Sequence, residues 1–170
     1  LKIIISDIPE KGLELELSEA IESDASLKIL SPVQASLKID KKDSEVFVRG
    51  VADAVIEQQC SRCLKIFSVD LKVNIDTVYR PSKEINIEEH YELKSDEMET
   101  GFYKNDEIDL DDLLKEQFML ALPMKPLCSE GCKGLCPQCG ADLNISECSC
   151  EVSEIDSRLS ILKQLLKRKE

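Results

Sequence analysis

Apolar and polar positions alternate most regularly between residues 33 and 80. Val33, Ala35, Leu37 and Ile39 alternate with Gln34, Ser36, Lys38 and Asp40, the two-residue period of a strand with one buried face. Lys41, Lys42 and Asp43 make a polar turn. Val46, Val48, Ala52, Ala54 and Ile56 then share one face, with Arg49, Asp53 and Glu57 on the other. Gly50 inside this run points to a bulge or to close backbone packing. After a CSRC turn, Phe67, Val69, Leu71, Val73, Ile75 and Tyr79 alternate with Ser68, Asp70, Lys72, Asn74 and Arg80. Together these runs predict a three-stranded antiparallel meander with one buried and one wet face. Residues 13–17 (LELEL) add a further half-buried strand, and residues 18–26 read as a short helix or loop that Pro32 closes.

The period changes at Asp109. Leu110, Leu113, Leu114, Phe118 and Ala121 fall on one face at helical spacing. Asp109 is placed to cap this helix with Asp112 at the third position, and Pro123 ends it. The stripe is expected to pack on the sheet. A last helix is predicted from Ser153, with Ile155, Leu159, Leu162 and Leu166 on one face and Lys163, Lys167, Arg168 and Lys169 in its final turns. Between the sheet and the first helix, residues 82–108 are weakly patterned and are expected to form a long mobile loop, with an edge hairpin around Ile85, Ile87, Tyr91, Leu93, Phe102 and Tyr103 as the ordered alternative. The predicted fold class is α+β: an antiparallel sheet, a meander or barrel-like, packed by one or two helices, with a cysteine-rich C-terminal segment whose metal chemistry follows from its cysteine spacing. The expected domains are residues 1–122, holding the sheet, the acidic loop 82–108 and helix 109–122, and residues 123–170, holding the cysteine-rich segment and the basic helix.

Composition adds two constraints. The chain has 170 residues, of which 42% are hydrophobic but only 4% aromatic, with no Trp. Its core must be built from Ile, Leu and Val. No apolar run approaches the roughly 18 residues of a membrane span. The net charge is −12 and unevenly spread. Residues 84–112 hold twelve Asp/Glu against Lys94 and Lys104, whereas residues 156–170 hold five Lys/Arg against two acids. The single histidine, His90, lies among Glu88, Glu89 and Glu92, and is expected to face solvent rather than serve as ligand or base.

The candidate chemistry lies in the cysteines. Six of eight fall within residues 128–150, CSEGCKGLCPQCGADLNISECSC, and the other two form CSRC at the tip of the second hairpin. The pairs are Cys60/Cys63, Cys128/Cys132, Cys136/Cys139 and Cys148/Cys150. A tetrahedral Zn²⁺ takes four soft thiolates, and a C-x2-C delivers two from one turn. Eight cysteines make two such sites, hence two expected Zn²⁺. CPQCG has the form of a zinc knuckle, and Gly131, Gly134 and Gly140 sit where a chain wrapping a metal needs unusual φ. Four disulfides are the rival, but they need an oxidising compartment, and the start, LKIIISDIPEKG, has only a short apolar run before charges; a cytoplasmic location is expected. A redox C-x2-C would use one pair rather than four, and an iron–sulfur cluster fits the same spacing. The favoured division closes one site from Cys136, Cys139, Cys148 and Cys150 and lets Cys128 and Cys132 meet Cys60 and Cys63. The other division closes Cys128, Cys132, Cys136 and Cys139 locally and joins Cys60/Cys63 to Cys148/Cys150.

The ordered series CSRCLKIF, EIDLDDLLKEQFMLALPMKPLC, CKGLCPQCGADLN, CSC and IDSRLSILKQLLK resembles the YceD family, the large ribosomal RNA subunit accumulation proteins of bacteria and plastids. The resemblance covers about residues 33–167 and places the chain in a cysteine-rich branch. Its one noted departure is Ser157, where the family usually has DPRL. It implies a part in accumulation of large-subunit rRNA and carries no catalytic activity.

The leading expectation is therefore a non-enzymatic, zinc-stabilised factor in ribosome biogenesis, with no catalytic residues assigned. A chain at −12 cannot rely on bulk attraction to phosphates. Its partner is expected to be large-subunit rRNA, met by the basic C-terminal tip with Arg49, Arg62, Lys65 and Lys72, or a basic ribosomal protein, met by the acidic block. A redox-sensitive zinc switch is a second class, in which oxidation ejects the metal. A zinc hydrolase or nuclease is a third and weaker one, because a catalytic zinc keeps an open position and usually has His or carboxylate ligands.

Overall fold

The computed structural model describes residues 1–23, 27–82 and 100–150. His90, most of the acidic block and the basic C-terminal helix expected from Ser153 lie outside the described residues. The elements are β1 (Lys2–Ile4), a 3-10 turn (Ile5–Asp7), β2 (Leu13–Glu19), β3 (Lys28–Ile29), β4 (Val33–Lys42), β5 (Glu45–Gln59), β6 (Ile66–Pro81), β7 (Thr100–Tyr103), β8 (Glu107–Asp109) and α1 (Leu110–Ala121). The chain divides into two compact units. The first is Leu1–Gln58 with Ile66–Pro126; the second joins Gln59–Lys65 to the segment that starts at Leu127.

The first unit is built on a sheet of order β2-β4-β5-β6-β7, with β3 paired to β5. The alternation of the three central runs decides its faces. Val33, Ala35, Leu37 and Ile39 of β4, Val46, Val48, Ala52, Ala54 and Ile56 of β5, and Val73 and Ile75 of β6 are all buried. β4 pairs antiparallel with β5 without interruption from Gln34↔Asp53 to Lys42↔Glu45, so the turn is Asp43-Ser44, with Asp43 at positive φ. Gly50 is thus no bulge. It lies opposite Leu37, and a Cβ there would overlap the Ser36 carbonyl oxygen. Ion pairs Arg49–Asp76 and Arg80–Glu45 step four residues in opposite senses along β5 and β6, which marks that pairing as antiparallel. The Arg49 guanidinium also lies 5.4 Å from the Phe47 ring centre.

Two expectations are corrected. Among the described residues the sheet is open, with β2 and β7 at the ends of the strand order, and closes into no barrel. Residues 100–109 are not loop: β7 lies parallel on β6 from Val78↔Thr100 to Pro81↔Tyr103, and β8 pairs antiparallel with β1. Asn105 and Asp106 turn the chain between them, both at positive φ, as a tight type I′ reversal requires. Asp106 then holds the N-terminal segment, accepting from Ser6 N–H on its carboxylate and from Ile5 N–H on its carbonyl. The Ser6 bonds hold the Asp106 carboxyl below its usual range. Of the stretch 18–26, read as a short helix or loop, residues 18–19 continue β2 and residues 20–23 take the irregular, loop alternative.

Helix α1 starts as its sequence expects. Asp109 is the N-cap, but its carboxylate takes the N–H of Asp111, one residue earlier than a capping box with Asp112 implies. Leu110, Leu113, Leu114 and Phe118 are buried in one cluster with the inner face of the sheet and with Ile5, Ile8 and Leu27. Ala121, expected on this stripe, is exposed. Leu122 turns to extended backbone, as a residue before Pro does. No helix among the described residues is long and apolar enough to cross a membrane.

Candidate metal centres

The second unit is organised by two turns of the same construction. In CSRCLK, Leu64 N–H donates to the Cys60 carbonyl at 3.0 Å and Cys60 N–H to the Lys65 carbonyl at 2.9 Å. In CPQCGA, Gly140 N–H donates to the Cys136 carbonyl at 2.9 Å and Cys136 N–H to the Ala141 carbonyl at 2.8 Å. Each turn needs its fifth residue left-handed: Leu64 has φ 61° and Gly140 φ 74°. Glycine meets this without strain, whereas a leucine there costs about 1–2 kcal/mol. Both turns leave two cysteine side chains converging on one side of a short hairpin. The second hairpin is closed by a Leu135↔Asp142 bridge.

All eight cysteines are free thiols, and they gather into two tetrads. Cys60, Cys63, Cys128 and Cys132 form one, and Cys136, Cys139, Cys148 and Cys150 the other; in each, all four sulfurs lie within 4.8 Å of one another. This is the first of the two divisions open to the sequence. Cys60 and Cys132 sulfurs are 3.7 Å apart, and those of Cys63 and Cys128 are 3.6 Å apart. A tetrahedron with metal–sulfur bonds of about 2.3 Å has edges of about 3.8 Å, so the donor set fits a tetrahedral thiophilic ion. The first tetrad is the more enclosed, with Cys60, Cys63 and Cys132 buried and Cys128 half-buried; in the second, Cys136 is buried, Cys148 and Cys150 are half-buried and Cys139 is exposed.

Four thiols this close cannot all ionise unaided. In each tetrad one becomes acidic. The backbone N–H of Cys63, then that of Cys128, lowers Cys60 to about 6. The N–H groups of Cys139 and Gln138 lower Cys136 to about 6. Others resist. The Lys65 N–H favours the Cys63 thiolate, but burial and the neighbouring sulfurs outweigh it and push that thiol up to about 12. The Cys139 sulfur and burial push Cys150 up to about 12. A divalent cation at the centre would remove this mutual repulsion, since coordination deprotonates thiols outright.

A further layer of bonds, not anticipated from sequence, ties the segment between the tetrads. Arg62 Nη1 donates to the Cys132 carbonyl at 2.7 Å, and Leu135 N–H donates to the Arg62 carbonyl at 3.2 Å. Gly134 has φ 78° and lies so close that a Cβ would stand 3.0 Å from the Arg62 carbonyl oxygen. Asn144 accepts the Lys133 N–H on Oδ1 at 2.8 Å and reaches the Cys132 sulfur with Nδ2 at 3.5 Å. The visible signal for it was the Asp142-x-Asn144 spacing, which folds as a local turn with Asn144 N–H on the Asp142 carboxylate. Of the basic residues expected to meet RNA, Arg62 is engaged with Cys132 and Arg49 with Asp76.

Residues 48–166 match the family model described as large ribosomal RNA subunit accumulation protein YceD. The chain is 28% identical over 169 residues to the uncharacterized protein YlbN of Bacillus subtilis, covering 96% of this chain and 94% of that protein. It is 28% identical over 162 residues to an uncharacterized protein of Mycobacterium tuberculosis, covering 91% of this chain and 75% of the relative. It is 26% identical over 165 residues to the chloroplastic large ribosomal RNA subunit accumulation protein YCED homolog 1 of Arabidopsis thaliana, covering 82% of this chain and 51% of that longer protein. No solved structure matches the chain.

Proposed function

Because the chain belongs to the YceD family of large ribosomal RNA subunit accumulation proteins, we propose that it is a non-enzymatic, zinc-stabilised factor in the accumulation of large-subunit ribosomal RNA. The observation that carries the chemical part is the pair of four-thiol tetrads. A site closed by four thiolates leaves no position for substrate, which argues against hydrolysis and for a structural metal. Zinc bound there supplies folding free energy to a segment with little apolar core of its own.

Charge favours the cysteine unit as the part that meets RNA. Residues 59–65 and 127–170 hold eight Lys/Arg against seven Asp/Glu, whereas the rest of the chain holds fourteen against twenty-seven. Nearly all of the repulsion toward phosphate therefore resides in the sheet unit. That same excess supports a second reading, in which the sheet unit binds a basic ribosomal protein. Depletion of the protein in cells, followed by quantification of both ribosomal RNAs, tests the cellular role: large-subunit RNA should fall relative to small-subunit RNA, and an unchanged ratio overturns the proposal. Ultraviolet crosslinking separates the two readings, since direct RNA binding requires crosslinks that fall in residues 59–65 or 127–170.

A further inference from the structure

Both tetrads belong to the second unit, and only Lys133, Gly134 and Leu135 separate Cys132 of the first from Cys136 of the second. That short segment is held from two sides. On one side lies the first knuckle, through Arg62 and Leu135. On the other lies the loop of residues 140–147, which links Cys139 to Cys148 of the second tetrad. Leu143 N–H donates to the Gly134 carbonyl at 2.9 Å, and Lys133 N–H donates to Asn144 Oδ1 at 2.8 Å. The second bond settles the carboxamide orientation, because a donor N–H needs the oxygen. Asn144 Nδ2 is thereby left to donate, to the Asp142 carboxylate at 2.7 Å and to the Cys132 sulfur at 3.5 Å. A loop whose ends are ligands of one tetrad thus delivers a hydrogen bond to a ligand of the other.

We propose that Asn144 is a positioning residue through which the second tetrad tightens metal binding at the first. The inference rests on the reading that both tetrads hold zinc. An amide donating to a coordinated thiolate stabilises the charged ligand and fixes its direction. The donor is in place only while the 140–147 loop keeps its shape, and that shape depends on Cys139 and Cys148 being held together. Filling the second tetrad therefore raises the affinity of the first, and by linkage the reverse holds.

The test uses the full chain and Zn²⁺ in competition with a chromophoric chelator, for the wild type, Asn144→Ala, Cys148→Ser and the double variant. Asn144→Ala should still bind two zinc ions, with one weakened roughly 10–100-fold, the range for lost outer hydrogen-bond partners. Cys148→Ser should lose one ion and weaken the other by a similar factor. The double variant should be no worse than Cys148→Ser, because the loop is already released. Cobalt(II) in place of zinc gives a readout that packing alone does not move: loss of an N–H···S bond raises the energy of the sulfur lone pair and shifts one sulfur-to-metal charge-transfer band to longer wavelength in Asn144→Ala. Asn144→Asp, which keeps the acceptor for Lys133 N–H but replaces the donor with a charged oxygen facing the Asp142 carboxylate and the Cys132 sulfur, should weaken the same ion at least as much as Asn144→Ala. Two unchanged affinities with an unmoved band, or full additivity in the double variant, overturn the proposal. A wild-type protein that takes up no zinc overturns the metal reading itself, which is a different result.

Discussion

Cys63→Ser and Cys139→Ser each remove one thiolate from one tetrad, but they open loops of very different length. In the first tetrad the knuckle at Cys63 is joined to Cys128, 65 residues along the chain. In the second, Cys139 and Cys148 are nine residues apart. The chain-entropy relation gives about 4.3 kcal/mol for closing the longer loop and about 2.6 kcal/mol for the shorter one. Loss of the first site should therefore cost about 1.7 kcal/mol more than loss of the second. The assay is urea unfolding at free zinc well above both dissociation constants, with zinc counted in each variant. One ion should be lost in each case. Limited proteolysis gives the spatial half of the answer: Cys63→Ser should free the chain around Cys128 and Cys132 and leave residues 136–150 protected. Equal stability losses would refute the loop argument, and cleavage at residues 148–150 in Cys63→Ser would refute the division of the ligands.

The metal-free protein should show a stability maximum near pH 9. Cys60 and Cys136 have folded values near 6 against an ordinary value of 9, so the stability they contribute is complete above pH 9 and is lost as pH falls through 6, whereas Cys63 and Cys150, raised to about 12, favour the unfolded chain as pH rises above 9; denaturation across pH 5–11 checks both limbs. Gly50→Ala should destabilise by about 1–3 kcal/mol, because its Cβ meets the Ser36 carbonyl and Leu37 backbone, while Gly131→Ala, with open space around it, should stay within about 0.5 kcal/mol of wild type. Gly140→Ala should cost about 1 kcal/mol by forcing a side chain into the left-handed region, and Leu64→Gly should cost nothing measurable, since relief of the same strain offsets the glycine's extra chain entropy; thermal melts of the zinc-loaded proteins compare the two.

The inner face of β4, β5 and β6, the start of α1 and the two knuckles were legible along the chain because each is a local property. Alternation is a two-residue period, a cap lies within one turn of its helix, and C-x2-C brings two thiolates together whatever the rest of the protein does. Tertiary structure alone decided the remainder. The three-residue strands β1 and β8 carry too few positions to show a period, and they exist because the first residues of the chain meet residues 107–109. β7 looked like part of an acidic loop, since its parallel partner on β6 lies more than twenty residues away. Gly50 showed that something unusual was needed in β5, but whether a bulge or a close approach depended on the Ser36 carbonyl across the ladder. The left-handed backbone at Leu64 ran against its side chain and was imposed by the knuckle. The eight cysteines pointed to two groups of four, and both ways of sharing them satisfied the spacing. Only the meeting of the β5–β6 turn with Cys128 and Cys132 assigned them, because membership of a tetrad is a matter of distance in space, which sequence separation does not encode.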